Sequence, residues 1–268
     1  MPNTVYDNFF LSNEVEDQFN SHLDLQQFCT VDDTLDGVAG MKRVIHTYRA
    51  TDGTEKLTIG QGNSKSIEVS FVEAEYDIAL AQNRFDYYDE QAKKDPMLVP
   101  TGMKHAGTDM FNTVQGDIYA EFNKTGIEVP VADFGFDGFV DAVAALDLEN
   151  DEDVFIFGFI NPKDKAKARK ALKEDLKYIE SYARTGYIGT VAGVHLFTKK
   201  NATEGTIVVA TKEAVTIFKK TGVEVEQVTK GTRSEEAANK RLNSIFTRKY
   251  YVVALTNESK AVRLTLNA

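Results

Sequence analysis

The chain has 268 residues, 42% hydrophobic and 27% charged, enough to bury one substantial core or two closely packed ones. With 31 Lys and Arg against 41 Asp and Glu its net charge is −10, which argues against a dedicated nucleic-acid-gripping surface. The single Cys29 excludes an intrachain disulfide and a Cys-x-x-Cys site, no apolar run is long enough to cross a bilayer, and Met1 to Leu11 lacks the pattern of a secretory signal, so residence in a cytoplasm is expected.

Residues 1–36 are polar, with Val5, Phe9, Phe10, Val15, Phe19, Leu23, Leu25 and Phe28 spaced through them. Such a segment holds too little apolar surface to fold alone, so it reads as an N-terminal arm whose phenylalanines dock on the body or on a neighbouring subunit. From Met41, β-formers gather at Val44–Tyr48 and Ile67–Phe71 around a polar middle rich in turn residues, Asp52-Gly53 and Gly60 to Lys65. That pattern predicts a long projecting hairpin that needs a partner to cover it. Its Lys65-Ser66 ending is a poor phosphate loop, because Ser64 stands where glycine is required. The alternating Tyr76–Leu80 is expected to return the chain to a main sheet.

Asp95-Pro96 and Pro100 precede a helix for which Thr101 is the expected cap. Met103, Ala106, Met110, Val114, Ile118 and Phe122 recur at three- and four-residue spacing and predict an apolar stripe along a helix of about six turns. Gly102, Gly107 and Gly116 each weaken it by up to roughly 1 kcal/mol relative to alanine, so it must depend on packing. Asp133 is the expected cap of a second helix carrying Phe136, Phe139, Val140 and Val143. Val154–Ile160 predicts a strand buried on both faces. Asn161-Pro162-Lys163-Asp164 is a helix start, with a capping asparagine and proline at the first helical position. That helix is expected to run to about Arg184, burying Leu172, Leu176, Ile179 and Ala183; its basic cluster from Lys163 to Lys173, interspersed with acids, reads as a solvated face.

Tyr187–Phe197 carries Gly189 and Gly193 after Gly186, but a dinucleotide fingerprint runs from strand to helix, whereas these glycines follow a helix and enter apolar β-formers. The segment therefore reads as a strand entry. Ile207–Val209, Ala214–Phe218 and Val223–Val228 are strand-like, and Lys249–Leu255, a turn at Asn257–Ser259 and Ala261–Leu264 predict a final hairpin.

Catalytic chemistry leaves no recognisable trace. His22, His46, His105 and His195 lack metal-ligand spacing, there is no Gly-x-Ser-x-Gly elbow, and the acidic run Glu149–Asp153 lacks the alternation of a calcium loop. No catalytic, cofactor-binding or metal-binding residue is assigned, and no enzyme activity is expected.

The order of parts, with Gly189–Phe197, Thr211–Val215 and Arg248–Leu255, resembles the major capsid protein of tailed double-stranded DNA bacteriophages, the α+β Hong Kong phage 97 capsid fold. The resemblance covers essentially the whole chain. It implies an N-terminal arm at 1–36, an E-loop at 44–73, a peripheral domain at 74–131 and 241–268 with a spine helix at 101–124, and an axial domain at 132–240. It also implies self-assembly into the pentamers and hexamers of an icosahedral head enclosing DNA, without sequence-specific binding or a membrane. A weakly acidic wall would avoid gripping the packed polymer by counterion release. The alternative is an encapsulin-like nanocompartment shell. Expected inter-subunit contacts are Phe9, Phe10, Phe19, Lys56 and Lys65, with no covalent crosslink through the lysines. Because the E-loop would begin near residue 44, a separately encoded scaffolding protein is expected. A portal completes the implied partners and a decoration protein is left open; the expected location is the virion capsid, after synthesis in the bacterial host cytoplasm.

Overall fold

The computed structural model describes residues 24–148, 153–173, 189–229 and 234–267. Two sheets share one long helix, and a separate two-stranded ribbon stands away from both.

The first sheet is built on its longest strand. β1 (Thr30–Asp32) pairs parallel with β10 (Val215–Lys219), while β11 (Glu224–Val228) and β4 (Ala79–Tyr88) join β10 as antiparallel partners of β12 (Leu242–Leu255). The second has the order β5 (Glu128–Val131), β13 (Ala261–Leu266), β9 (Thr206–Thr211), β6 (Ile156–Ile160), β8 (Val194–Thr198), β7 (Thr190–Val191). The ribbon pairs β2 (Lys42–Ala50) with β3 (Val69–Asp77).

Helix α1 (Asp89–Lys94) leads to α2 (Leu98–Phe122), whose buried positions Met103, Met110, Val114, Ile118 and Phe122 are those of the predicted stripe. It starts earlier than expected, at Leu98 rather than Thr101, and ends at Phe122. Pro100 is tolerated because first-turn N–H groups have no intrahelical acceptor, so its missing donor costs nothing there. One core unites α2 with Phe157, Phe159, Val208 and Ala210 of the second sheet and with Val215, Ile217 and Ile245 of the first. The other face of the second sheet, including Ile156, Ile160, Ile207 and Val209, packs on α3 (Phe136–Ala145) and α4 (Pro162–Ala171) through Phe139, Ala142, Ala168 and Leu172. Alternate residues of β6 thus enter different cores, which is why its sequence reads as a continuous apolar run.

Several local expectations are corrected. Ile78 separates β3 from β4, its N–H donating to the Met41 carbonyl at 2.7 Å, so Tyr76–Leu80 straddles two strands. Gly135, not Asp133, caps α3; the Asp133 carboxylate accepts the Gly135 N–H at 2.9 Å in a turn just before the helix. Asn161 caps α4 as read, accepting the Lys163 N–H at 2.9 Å. The predicted continuation to Arg184 lies outside the described residues. The C-terminal strands do not form a hairpin: β12 and β13 belong to different sheets, the short turn Glu258–Lys260 carrying the chain between them. Within Tyr187–Phe197, β7 and β8 form a tight hairpin whose turn residues Ala192 and Gly193 have φ of 49° and 81°, so glycine is needed for conformation and the strand-entry reading holds.

Candidate inter-subunit surfaces

The β2–β3 register places Val44, His46, Tyr48 and Ala50 opposite Glu75, Glu73, Phe71 and Val69 on one face. There His46, Tyr48 and Phe71 form an aromatic cluster, with ring centroids 5.0 Å apart for His46–Phe71 and 6.0 Å for Tyr48–Phe71. Tyr48 and Phe71 are nevertheless 65% and 58% exposed, and Leu57, Ile59, Ile67, Val69 and Val72 are exposed on the same excursion. Among the described residues, nearly half of the exposed large apolar side chains sit on this one projection. Exposed apolar area so concentrated makes this projection the candidate contact surface.

Its root is fixed. The Arg43 guanidinium lies 3.2 Å from the Asp32 carboxylate, Lys220 donates to the Val38 and Gly40 carbonyls at 2.5 and 2.6 Å, and Tyr76 stacks on Phe218 at 5.1 Å. Lys42 pairs with Glu75 across the ribbon. At the far end, Glu55 accepts the Ser64 N–H at 2.8 Å and its hydroxyl at 2.6 Å, and these bonds hold the Glu55 carboxyl below the usual range. Asn63 donates to the Gly53 and Lys65 carbonyls at 3.2 and 2.7 Å. The polar middle that lacks core-forming residues is therefore ordered by its own side-chain bonds.

Lys56 and Lys65 are both exposed in this far section of the projection. Phe9, Phe10 and Phe19 lie outside the described residues. The later part of the arm docks on its own body: Leu25, Phe28 and Cys29 are buried, and Phe28 packs against Phe157, Phe159 and Phe197. Burial, with Asp24 nearby, pushes the Cys29 thiol up to about 12, the nearby Lys212 opposing this only in part. A thiol so held is inert as a nucleophile. Reading Lys56 and Lys65 alone overlooked Tyr48 and Phe71; the signal was present, since aromatic residues alternate with polar ones on two strands that have no sheet to lie on.

Among the described residues no group of three or more His, Cys, Asp or Glu converges as a metal site, and no helix is long and apolar enough to cross a membrane. His195 stacks on Phe155 at 4.9 Å and its Nδ1 lies 3.2 Å from the Thr190 hydroxyl, a packing role in the β7–β8 hairpin.

Two sheets sharing one 25-residue helix, with exposed apolar side chains gathered on a two-stranded ribbon, make up the described part of the chain. The fold is that of viral capsid shells. The chain superposes on the capsid structure of cyanophage P-SCSP1u with a TM-score of 0.70 at 14% identity, covering 90% of this chain and 86% of the other. It superposes on the mature capsid of bacteriophage PhiM1 with a TM-score of 0.68 at 11% identity, covering 92% and 88%. A virus-like particle from Pyrococcus furiosus gives 0.64 at 13% identity, covering 95% and 97%. No protein-family model matches the sequence, and no curated protein is similar to it in sequence.

Proposed function

We propose that this chain is the major capsid protein of a tailed double-stranded DNA phage: a structural, non-enzymatic subunit that closes with its copies into hexamers and pentamers of an icosahedral head. The observation that carries this reading is the projecting ribbon, anchored at its root and bearing an exposed aromatic and aliphatic face, on a body whose fold is shared with capsid shells over about nine-tenths of the chain. Heterologous contacts between identical copies close into rings, and a ribbon lying over the next copy covers Tyr48 and Phe71. In this reading residues 1–36 are the arm, 44–73 the E-loop, 74–131 and 241–268 the peripheral domain with α2 as its spine, and 132–240 the axial domain. Phe9, Phe10, Phe19, Lys56 and Lys65 contact neighbours without a covalent crosslink. A separate scaffolding protein and a portal complete the head, which encloses DNA and is made in the bacterial cytoplasm.

A second reading, an encapsulin-like compartment, draws support from the Pyrococcus furiosus particle, which matches 97% of its own length. Electron microscopy of the chain expressed in bacteria, alone and with a scaffolding protein encoded beside it, tests both. Closed shells that package DNA with a portal support the phage head, and shells filled with a protein cargo support the compartment. Monomers under every condition overturn the assembly reading.

A further inference from the structure

We propose that α3 of one copy docks against α4 of the next, an acidic and apolar helix face meeting a basic one, and that this pairing sets the order of subunits around a ring; the inference rests on the assembly reading above. The two helices lie on the same face of the second sheet. α3 packs over β5 and β13 and reaches Ala192 in the β7–β8 turn, whereas α4 is tied to the end of β8, where Lys165 donates to the Thr198 hydroxyl at 2.9 Å.

Their outward faces carry opposite charge. Asp137 and Asp141 are exposed one turn apart on α3, Asp133 is exposed in the turn before it, and beside them Phe136 and Val140 are 48% and 43% exposed. These two flank a shallow groove of about 400 Å³ completed by Val143, Ala144, Leu148 and Ala192. On α4 the exposed charges are Lys163, Lys167, Arg169 and Lys170, with Lys173 just beyond; its one carboxylate, Asp164, is buried, bonded to Lys167 at 2.8 Å and to the Gly205 N–H at 2.7 Å. Glu204 faces Lys163 and Lys167. Among the described residues, Asp137, Asp141, Lys170 and Lys173 form no ion pair.

The acidic pair Asp137–Asp141 and the basic pair Lys170–Lys173 each occupy about one helical turn, so two helices laid side by side can match both charges at once. Lysine stems would then cover Phe136 and Val140 while their ammonium groups reach the aspartates. A contact between an acidic face on one copy and a basic face on the next uses two different patches, and so is head-to-tail, the kind of contact that closes rings.

Charge reversal tests this with a signature no folding defect produces. D137K/D141K makes the contacting turn of α3 basic, like that of α4, and K170E/K173E makes the contacting turn of α4 acidic, like that of α3. Each variant, confirmed folded by circular dichroism, is expected to raise the protein concentration needed for assembly at least about tenfold, because like charges then face each other at every contact. The quadruple variant restores opposite signs and is expected to assemble as the parent does. Mixing the two double variants satisfies every contact only when they alternate, which even-membered rings allow and odd-membered rings forbid; native mass spectrometry should show hexamers without pentamers. Double variants that assemble like the parent, or a folded quadruple variant that does not recover, overturn the pairing while leaving the assembly reading intact. A parent chain that never assembles instead removes the assembly reading.

Discussion

Gln115, in the middle of α2, holds the backbone of Leu25, 90 residues earlier: its side-chain oxygen accepts the buried Leu25 N–H at 2.7 Å. Its amide nitrogen donates to the Asp24 carboxylate, also at 2.7 Å. One polar residue on an otherwise apolar stripe thus tethers the end of the arm to the long helix, where Leu25, Phe28 and Cys29 complete the core.

Replacing Gln115 with leucine keeps the volume near native but leaves the Leu25 N–H without its acceptor. An unsatisfied buried donor costs about 1–3 kcal/mol, so Gln115→Leu should lower the urea midpoint by that much stability with an unchanged slope. A loss below about 0.5 kcal/mol would mean that apolar packing alone seats the arm.

Periodicity read the body well where each element faces one environment. The α2 stripe, the Asn161-Pro162 helix start and the two-stranded pairing of β2 with β3 follow from local chemistry, because burial on one face, a cap or a turn leaves its mark within a few residues. Pairing across the body was less legible. β12 and β13 are neighbours in sequence, each largely buried in a different sheet, and nothing in Tyr250–Leu255 or Ala261–Leu264 records which strand lies beside it. Of the candidate surfaces, Lys56 and Lys65 drew notice as lysines on a projection, whereas the aromatic cluster of His46, Tyr48 and Phe71 needed the β2–β3 register before its members could be placed on one face.

Gly102 counts against α2 on propensity, yet the first sheet requires it. A Cβ built there would lie 2.5 Å from Cζ of Phe85 on β4. Gly102→Ala gains about 1 kcal/mol of helix propensity but crowds the ring, and overpacking typically costs about 1–3 kcal/mol. Net destabilisation is expected, and the additional change Phe85→Leu should recover most of it. A thermal melt of the single and double variants reads this directly, and a more stable single variant would refute the crowding.

Acid should loosen the root of the ribbon. Burial pushes the Asp32 carboxyl up, but the Thr34 hydroxyl and N–H and the Arg43 guanidinium more than offset this and hold it below its ordinary value of 3.8. A carboxyl lowered on folding contributes stability that is fully present above its unfolded value and is lost as pH falls through the folded one. Parent and Asp32→Asn chains should therefore differ at neutral pH and converge in strong acid, once pH has fallen through the lowered folded value. Amide exchange across Lys42–Ala50, measured at both pH values, checks this; a difference that persists in strong acid would assign the effect to packing.

Tyr48→Ser with Phe71→Ser should separate folding from assembly. Both rings are more than half exposed in the single chain, so the native fold loses little beyond one cross-strand aromatic pair, which contributes about 0.2–1 kcal/mol. Covering such a side chain with a neighbour is worth about 1.5–3 kcal/mol when burial is complete, and the loss recurs at every copy in a closed shell. The double variant is expected to melt within a few degrees of the parent yet remain unassembled in electron micrographs and in sedimentation. Shells of parent size and yield from this variant would show that the exposed aromatic face of the ribbon is not the surface that neighbouring copies cover.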